Sequence, residues 1–259
     1  MKLIKPSFEI ITPINGEQIL KQIELAARTC YKSEHKIGSI IKCASCKCDN
    51  VSDCSKPIYI SNHCIGKNPS DYPMGLPSHI ELIFNKLMSN NHNAMLEFGG
   101  NITVKFICDR GVSHELVRHR IASFAQESTR YCNYGKAEHI QFIIPCWLGL
   151  EQGEYNTNDS SFLSMSDDAY DWCQTMLNLE FRYNSLIKIN KWSPQQARSV
   201  LPNSLKTEIN VSANIREWRE IFKQRTSKAA HPQMRELMCS LLDEFKTKIS
   251  ILFDDINYE

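Results

Sequence analysis

Apolar residues recur at helical spacing in the first third of the chain. In the segment GEQILKQIELAARTCYKS they predict a helix over about 16–30, with Ile19, Ile23, Ala26 and Ala27 on its apolar side. A second helix is expected in PSHIELIFNKLMSN, with Ser78 as its N-cap. The apolar face of this helix comprises Ile80, Ile83, Phe84 and Leu87.

The segment NITVKFICD alternates between apolar and polar positions instead. One side carries Ile102, Val104, Phe106 and Cys108, and the pattern predicts a half-buried strand over 101–109. Three further segments have strand-like composition, namely STRYCNY, HIQFIIP and KTEINVSA.

Helical patterns occupy most of the second half of the chain. RGVSHELVRH would turn Val112 and Leu116 inward, with Val117 as a further candidate. The apolar side of a long helix from Asp167 onward comprises Tyr170, Cys173, Met176, Leu177, Leu179 and Phe181. Three more helices are expected: one in SPQQARSVLP with Ser193 as cap and Pro194 in first position, one in NIREWREIFKQRT packing through Ile215, Trp218 and Phe222, and one after Pro232.

Together these elements predict an α/β (α+β) fold in a single domain over 1–259, interrupted by a cysteine-rich insertion at about 38–78. The insertion holds Cys43, Cys46, Cys48, Cys54 and Cys64, with His63 nearby. These side chains are numerous enough for a tetrahedral zinc ion, but only one closely spaced cysteine group is present where zinc sites usually show two. A loop with incidental thiols is the alternative, and no metal ligand is assigned.

Composition narrows the class of protein. The 259 residues include 42% hydrophobic and 23% charged residues, typical of a globular domain, and the net charge is +1. A general nucleic-acid binder is usually more basic. The first residues lack a signal-peptide core and no apolar run has spanning length, so no membrane partner is expected. Eleven cysteines without an export signal favour reduced thiols and a cytoplasmic location.

The cationic residues concentrate in one stretch, RHRIASFAQESTRY, which holds three arginines. Within a neutral protein, such a cluster suggests a small anionic ligand. Arg118 and Arg120 would lie roughly 200° apart on a helix, so they can hold one group only where a helix ends. In an extended segment Ser128 and Arg130 would share a face, where a hydroxyl beside a guanidinium can bind phosphate. A surface Ser–Arg pair is the competing interpretation.

Two further cationic positions lie on predicted helices. Asn214 and Arg225 are eleven residues apart, which puts them on one stripe of a helix but about 16 Å apart along its axis. They could line an extended ligand but cannot both touch one small group. Arg198, in ARSVLP, lies on another short helix. The chain has no Gly-x-Gly-x-x-Gly or Walker loop, so any nucleotide is bound by another device, such as arginines.

Arg-His-Arg, then seven residues, then Ser is the signature of the flavin-dependent thymidylate synthases, and here it stands as Arg118-His119-Arg120 and Ser128. The chain resembles this family in four further blocks in the same order: HNAMLEF, ARSVLP, NIREW and RTSKAAHPQMRE. The resemblance covers about residues 17–36 and 79–242. It implies a central, mostly antiparallel sheet flanked by helices, and a homotetramer whose active sites lie at subunit interfaces.

The resemblance also implies a reaction. dUMP becomes dTMP, methylenetetrahydrofolate supplies the one-carbon unit, and NADPH reduces FAD, which supplies the hydride. The residues implied to contact the flavin are His92, Glu97, Arg118, His119, Arg120, Ile121, Asn214 and Arg216. Those implied to contact the nucleotide are Glu115, Arg118, Gln126, Ser128, Arg130, Arg198 and Arg225. Arg225, beside the uracil ring, is the expected catalytic residue because a cation there would stabilise developing negative charge.

Several positions depart from the family pattern. Phe98 replaces the second histidine of His-x-x-x-x-Glu-His, Ala94 replaces a frequent Thr, and Glu220 stands where an Asn is expected. In AQE, either Gln126 or Glu127 could face the nucleotide.

Two functions of other classes compete with this prediction. A folate-dependent enzyme with a cysteine nucleophile could use Cys146 in IPCW, although a tryptophan follows it where a base would be expected. A non-catalytic nucleotide- or nucleic-acid-binding module could use the arginines alone, and would then bind oligonucleotides in a salt-dependent way without flavin.

Overall fold

A computed structural model describes residues 1–41, 76–156, 162 and 164–258. The chain forms two compact units. Unit 1 comprises Met1–Ile10, Val104–Val211 and His231–Leu237, and unit 2 comprises Ile11–Thr103, Ser212–Ala230 and Met238–Glu259. The expected single domain over 1–259 stays a prediction. The cysteines of the predicted insertion, from Cys43 to Cys64, lie outside the described residues.

The described chain contains both strands and helices. The strands are β1 (Lys2–Ile4), β2 (Ser7–Ile10), β3 (Ile40–Ile41), β4 (Leu76–Pro77), β5 (Asn101–Asp109), β6 (Ser123–Gln126), β7 (Gln141–Ile143), β8 (Gly153–Glu154) and β9 (Lys206–Asn214). The helices are α1 (Gly16–Cys30), α2 (Ser78–Leu82), α3 (Arg110–Leu116), α4 (Asp167–Lys188), α5 (Pro194–Ala197), α6 (Ile215–Arg225) and α7 (Pro232–Phe253). Helix α7 loses helical backbone geometry at Ile249.

The strands form small sheets with mainly antiparallel pairing. One sheet has the order β7-β1-β8, in which β1 is parallel to β7 and antiparallel to β8. Another has the order β2-β5-β9-β6, in which β2 is antiparallel to β5 and Phe8 lies opposite Phe106. The predicted α/β class, with antiparallel sheets flanked by helices, is confirmed.

Strand β5 has the predicted bounds and the predicted alternation. Ile102, Val104, Phe106 and Cys108 are all at most 2% exposed. On the apolar side of α1, Ile19, Ile23 and Ala27 are likewise buried and Ala26 is half-buried. The first turn of this helix is closed by Asn15, whose Oδ1 accepts from the Gln18 backbone N–H at 3.1 Å. Periodicity therefore located both elements correctly, with bounds predicted as about 16–30 for α1 and as 101–109 for β5.

The core of unit 2 fixes α6. The Trp218 and Phe222 rings stack at 5.6 Å between centroids, and Phe222 meets Phe245 of α7 at 5.1 Å. The Trp218 indole N–H also donates to the Ile102 carbonyl at 2.9 Å. The packing face predicted for this helix is confirmed, since Ile215, Trp218 and Phe222 are fully buried.

Helix α2 differs from its prediction. Ser78 is the first helical residue rather than the N-cap, a position held by Pro77. The Ser78 hydroxyl instead accepts from the backbone N–H of Gly38 at 3.1 Å. Helix α2 widens into a π-helical turn over Ile83–Met88, which shifts the helical phase, so Phe84 is 38% exposed instead of buried.

Three other predicted core positions are wrong. Val117 is 39% exposed because α3 ends one residue earlier. On α4, Tyr170 and Phe181 are exposed, while Tyr183 is fully buried. The buried stripe of α4 instead runs through Ala169, Cys173, Met176, Glu180 and Tyr183. Glu180 belongs to it because its carboxylate pairs with the N-terminal ammonium group at 2.9 Å. In the described part of the chain, no helix combines the length and apolarity needed to cross a membrane.

Candidate active site

The arginine stretch begins where α3 ends. Asp109 caps this helix, its carboxylate accepting from the Val112 N–H at 2.6 Å, and burial raises the pKa of that carboxyl group. Because the helix stops at Leu116, Arg118 and Arg120 lie in turns and both are exposed. The helical separation of about 200° therefore does not apply to them.

The residues around these arginines differ in exposure. His119 is only 5% exposed, whereas Ile121 is 72% exposed. The turn thus presents two cations and one apolar side chain to solvent. This combination suits a ligand with both anionic and flat apolar parts, as a dinucleotide has.

The predicted strand over STRYCNY is wrong. Strand β6 ends at Gln126, and the next residues form a turn in which the Ser128 carbonyl accepts from the N–H groups of Tyr131 at 3.1 Å and Cys132 at 2.9 Å. The Ser128 hydroxyl accepts from the Arg130 N–H at 3.3 Å. Serine side chains favour such local bonds over an extended strand. Ser128 and Arg130 are therefore neighbours in a turn rather than on one face of a strand.

The same turn lies against Arg198. Thr129 is 6% exposed, and its hydroxyl accepts from the Arg198 guanidinium at 3.3 Å. Arg198 itself is exposed, at the start of the helical turn Arg198–Val200 that follows α5. The structure thus brings together three residues predicted to contact the nucleotide, Ser128, Arg130 and Arg198.

Gln126 and Glu127 are both engaged within unit 1. The Gln126 amide donates to the hydroxyls of Ser113, at 2.8 Å, and Thr207, at 3.2 Å. The Glu127 carboxylate accepts from Tyr134 and pairs with a lysine of β9. Glu115 is half-buried on α3.

In unit 2 the predicted flavin residues lie on one short helical segment, Asn93–Gly99, and at the start of α6. His92 directly precedes this segment, and its Nδ1 lies 2.9 Å from the Tyr31 hydroxyl. Tyr31 follows α1 directly and is 53% exposed. Sequence patterns gave no sign of this contact, because the two residues are 61 positions apart.

Glu97 and Arg216 form the main charged contact of this group. The Glu97 carboxylate lies 2.6 Å from the Arg216 guanidinium, with side-chain exposures of 46% and 52%. The close approach depends on Gly99, where a Cβ atom would come within 2.7 Å of the Ile215 side chain. Phe98 and Ala94 are both exposed.

Asn214 and Arg225 flank α6 as expected. Asn214 is the N-cap, and its Oδ1 accepts from the Glu217 N–H at 2.9 Å. Arg225 is half-buried in the last turn. Glu220, where an Asn was expected, is exposed and accepts from the Gln224 amide at 2.6 Å.

The alternative nucleophile has an unfavourable environment. Cys146 is an exposed residue, but partial burial of its thiol, followed by the negative charge of Glu236, raises the pKa of that thiol. The thiol is therefore mainly protonated at neutral pH, and a thiolate is the form that attacks carbon. Trp147 meets the His231 ring edge to face, with 5.8 Å between centroids. In the described residues, no group of three His, Cys, Asp or Glu side chains is placed to hold a metal ion.

Comparison with known proteins decides between these interpretations. The family profile described as "Thymidylate synthase complementing protein" matches residues 15–249. The flavin-dependent thymidylate synthase of Corynebacterium efficiens is 33% identical over 178 residues, covering 67% of this chain and 68% of that protein. The chain belongs to the flavin-dependent thymidylate synthase family. The enzyme of the same name from Clostridium tetani is 30% identical over 182 residues, covering 67% of this chain and 69% of that protein.

Solved structures agree on the fold of this flavin-dependent thymidylate synthase. Thymidylate synthase X from Helicobacter pylori, crystallised with FAD and dUMP, matches with a TM-score of 0.60 and 21% identity over 99% of both chains. A UMP/dUMP methylase from Streptomyces cacaoi bound with 5-Br dUMP matches with a TM-score of 0.64 and 17% identity, over 98% of this chain and 96% of that one. At these identities the matches concern the fold.

Proposed function

We propose that this flavin-dependent thymidylate synthase methylates dUMP to dTMP. Methylenetetrahydrofolate donates the carbon and leaves as tetrahydrofolate, and NADPH supplies the reducing equivalents through FAD. Family membership supports the reaction and the cofactor. The roles of individual residues are those that the family motifs imply, and they are proposals for this chain.

One observation carries the nucleotide site: the bond between Arg198 and Thr129 holds a guanidinium beside the turn of Ser128 and Arg130. Arginine forks bind phosphate in two-point fashion, and a serine hydroxyl adds a further donor. We therefore place the dUMP phosphate at this turn. Arg118, Glu115 and Gln126 remain the predicted contacts to the rest of the nucleotide.

The family motifs imply flavin contacts in each unit. In unit 2 these are His92, Glu97, Asn214 and Arg216, and in unit 1 they are Arg118, His119, Arg120 and Ile121. The exposed arginines suit the FAD pyrophosphate, and exposed Ile121 suits a flat ring. Bound FAD, once reduced, supplies the hydride that completes the methyl group. The burial of His119 suits a role in supporting the turn rather than touching the phosphates.

Arg225 is our candidate for activating the nucleotide. Attack on the one-carbon unit requires electron density at carbon 5 of uracil, which leaves negative charge on the ring oxygen and nitrogen. A guanidinium near those atoms stabilises that charge in a site that excludes water. Because the charge develops only during the reaction, Arg225 should affect turnover more than nucleotide binding.

This role is tested by comparing Arg225→Ala with Lys223→Ala on the same helical turn. Arg225→Ala should lower kcat by about 100-fold, similar to the loss of one oxyanion-stabilising donor. Lys223→Ala, which removes an exposed charge, should retain turnover. Near-normal kcat in Arg225→Ala with only weaker dUMP binding would show that Arg225 is a binding residue.

We also propose a homotetramer with shared sites, since Arg216 and Arg225 are nine residues apart on α6 and about 14 Å apart along its axis. At FAD concentrations too low to saturate Arg216→Met, mixing this variant with Arg225→Ala protein should raise activity above that of either variant alone if different subunits supply the two residues to one site. Mixed tetramers that form, as seen by native mass spectrometry, yet stay inactive would contradict shared sites. The cytoplasmic location and the lack of a nucleic-acid partner stay predictions.

A further inference from the structure

The Glu127 carboxylate lies at the centre of a polar network in unit 1. Its Oε1 accepts from the Tyr134 hydroxyl at 2.9 Å, and its Oε2 lies 3.2 Å from Lys206 Nζ. Lys206 also contacts Glu208 at 2.5 Å, and Glu208 in turn contacts Lys105 at 2.5 Å. Two carboxylates and two ammonium groups thus alternate along β9 and its neighbours.

The network spans the turn that carries Ser128 and Arg130. Glu127 directly precedes that turn and Tyr134 follows it, so their hydrogen bond closes a loop over residues 127–134. The loop is also fastened to β9, because the Glu127 N–H donates to the Glu208 carbonyl at 2.8 Å. Side chain and backbone of Glu127 therefore both fix where the turn begins.

Burial strengthens these contacts. The side chains of Lys206 and Glu127 are 15% and 18% exposed, so their charges are only weakly screened. Burial, reinforced by the Glu127 carboxylate, raises the pKa of the Tyr134 hydroxyl, which stays a proton donor at neutral pH. The Tyr134 ring is held in turn by the edge of Tyr183, at 6.1 Å between centroids.

The four charged side chains of the network, Lys105, Glu127, Lys206 and Glu208, line an open cavity of about 420 Å³. Lys105 and Lys206 border it, but each already contacts a carboxylate. The cavity is therefore electrically balanced and does not suit the phosphate. This arrangement assigns Glu127 to the support of the turn, behind Ser128 and Arg130.

We propose that Glu127, held by Tyr134 and Lys206, is a positioning residue that presets the Ser128–Arg130 turn for the phosphate of dUMP. This inference rests on the proposed function, in which that turn binds the phosphate. It separates the roles of two adjacent residues: Gln126 is the candidate contact to the nucleotide, and Glu127 acts through the turn.

The test compares binding of dUMP and deoxyuridine, which lacks the phosphate, to the FAD-loaded enzyme by calorimetry. Glu127→Gln keeps the shape of the side chain but loses its charge. A charge-assisted hydrogen bond contributes enough that the dissociation constant for dUMP should rise about 10-fold, with deoxyuridine binding unchanged. Exposed Glu138→Gln, near the same loop, is the control and should bind both as the unmodified enzyme does.

Tyr134→Phe provides a second, independent variant that removes only the hydroxyl group. It should show the same phosphate-selective loss, and the double variant should lose little more than either single one, because the two residues act together. If Glu127→Gln fails to fold, Tyr134→Phe decides the question.

The outcomes separate this inference from the proposed function. An unmodified enzyme that does not prefer dUMP to deoxyuridine would overturn the phosphate site itself. An unmodified enzyme with that preference, and variants that keep it in full, would overturn the positioning role alone. Equal losses for both ligands would also overturn it, because they indicate a general structural effect.

Discussion

Two arginines on α6 should separate cofactor binding from stability. Arg216 is 52% exposed and pairs with the 46% exposed Glu97, whereas the Arg219 side chain is 6% exposed. Arg219 donates to both carboxylate oxygens of Asp255, at 2.7 and 2.6 Å, and to the Leu252 carbonyl. The two residues lie three positions apart on one helix, so Arg→Met at each site is a matched pair of substitutions.

The expected magnitudes follow from exposure. An exposed ion pair contributes about 0.2–1 kcal/mol, so Arg216→Met should lower the free energy of unfolding by no more than about 1 kcal/mol. Arg219→Met removes several charge-assisted bonds and leaves a buried carbonyl without its donor. One such bond contributes about 1.5–3 kcal/mol. Arg219→Met should therefore lower the free energy of unfolding by at least about 2 kcal/mol. For FAD binding, Arg216→Met should have the larger effect of the two substitutions. It should weaken FAD binding about 10-fold, or about 1.4 kcal/mol.

The assay uses apoprotein, so that bound flavin does not add to stability. Urea unfolding gives the stability of each variant, and quenching of flavin fluorescence on titration gives its FAD affinity. Folded Arg219→Met should bind FAD nearly as the unmodified protein does. Equal destabilisation by the two substitutions would refute the stability estimate based on exposure, and unchanged FAD affinity in Arg216→Met would refute the assignment of Arg216 to the cofactor.

Three other substitutions test a cofactor contact, the alternative nucleophile and an ion-pair network. Tyr31→Phe removes the hydrogen bond to His92, so FAD affinity, measured by fluorescence titration, should fall about 3–10-fold; an unchanged affinity would show that the bond is incidental. Cys146→Ser should retain dTMP formation, measured by chromatography, whereas its loss would favour the thiolate mechanism. Bonds to two lysines lower the pKa of Glu208 below its ordinary value of 4.5. The Glu208 carboxylate therefore stabilises the fold fully above about pH 4.5, and this contribution is lost as the pH falls through the lowered pKa. Glu208→Gln should therefore flatten the stability profile below about pH 4.5 in acid unfolding, and an unchanged profile would contradict this reasoning.

The spacing of apolar residues predicted correctly those elements in which one regular repeat runs from end to end. Alternation located β5 at Asn101–Asp109, and helical spacing located α1 at Gly16–Cys30. The pattern failed where local chemistry changes the geometry. The π-helical turn at Ile83–Met88 shifted Phe84 to the surface, and the hydroxyl and carbonyl of Ser128 turned a strand-like segment into a turn.

The candidate site was predictable only in part, for a similar reason. The signature of Arg118-His119-Arg120 and Ser128, together with four further sequence blocks in the same order, identified the family from sequence alone. Contacts between distant segments left no periodic signal, and so the bond from Arg198 to Thr129, 69 positions apart, emerged only from the fold. The supporting residues of an active site are harder to predict than its motif because they are defined by packing.

The central claim is that this chain forms dTMP by flavin chemistry. The most direct measurement incubates purified protein with dUMP, methylenetetrahydrofolate and NADPH under low oxygen, and quantifies dTMP with and without FAD. We expect dTMP from protein loaded with FAD and none from protein stripped of flavin. Formation of dTMP without any flavin, bound or added, would contradict the flavin mechanism, and failure of folded, FAD-loaded protein to form dTMP would contradict the proposed activity.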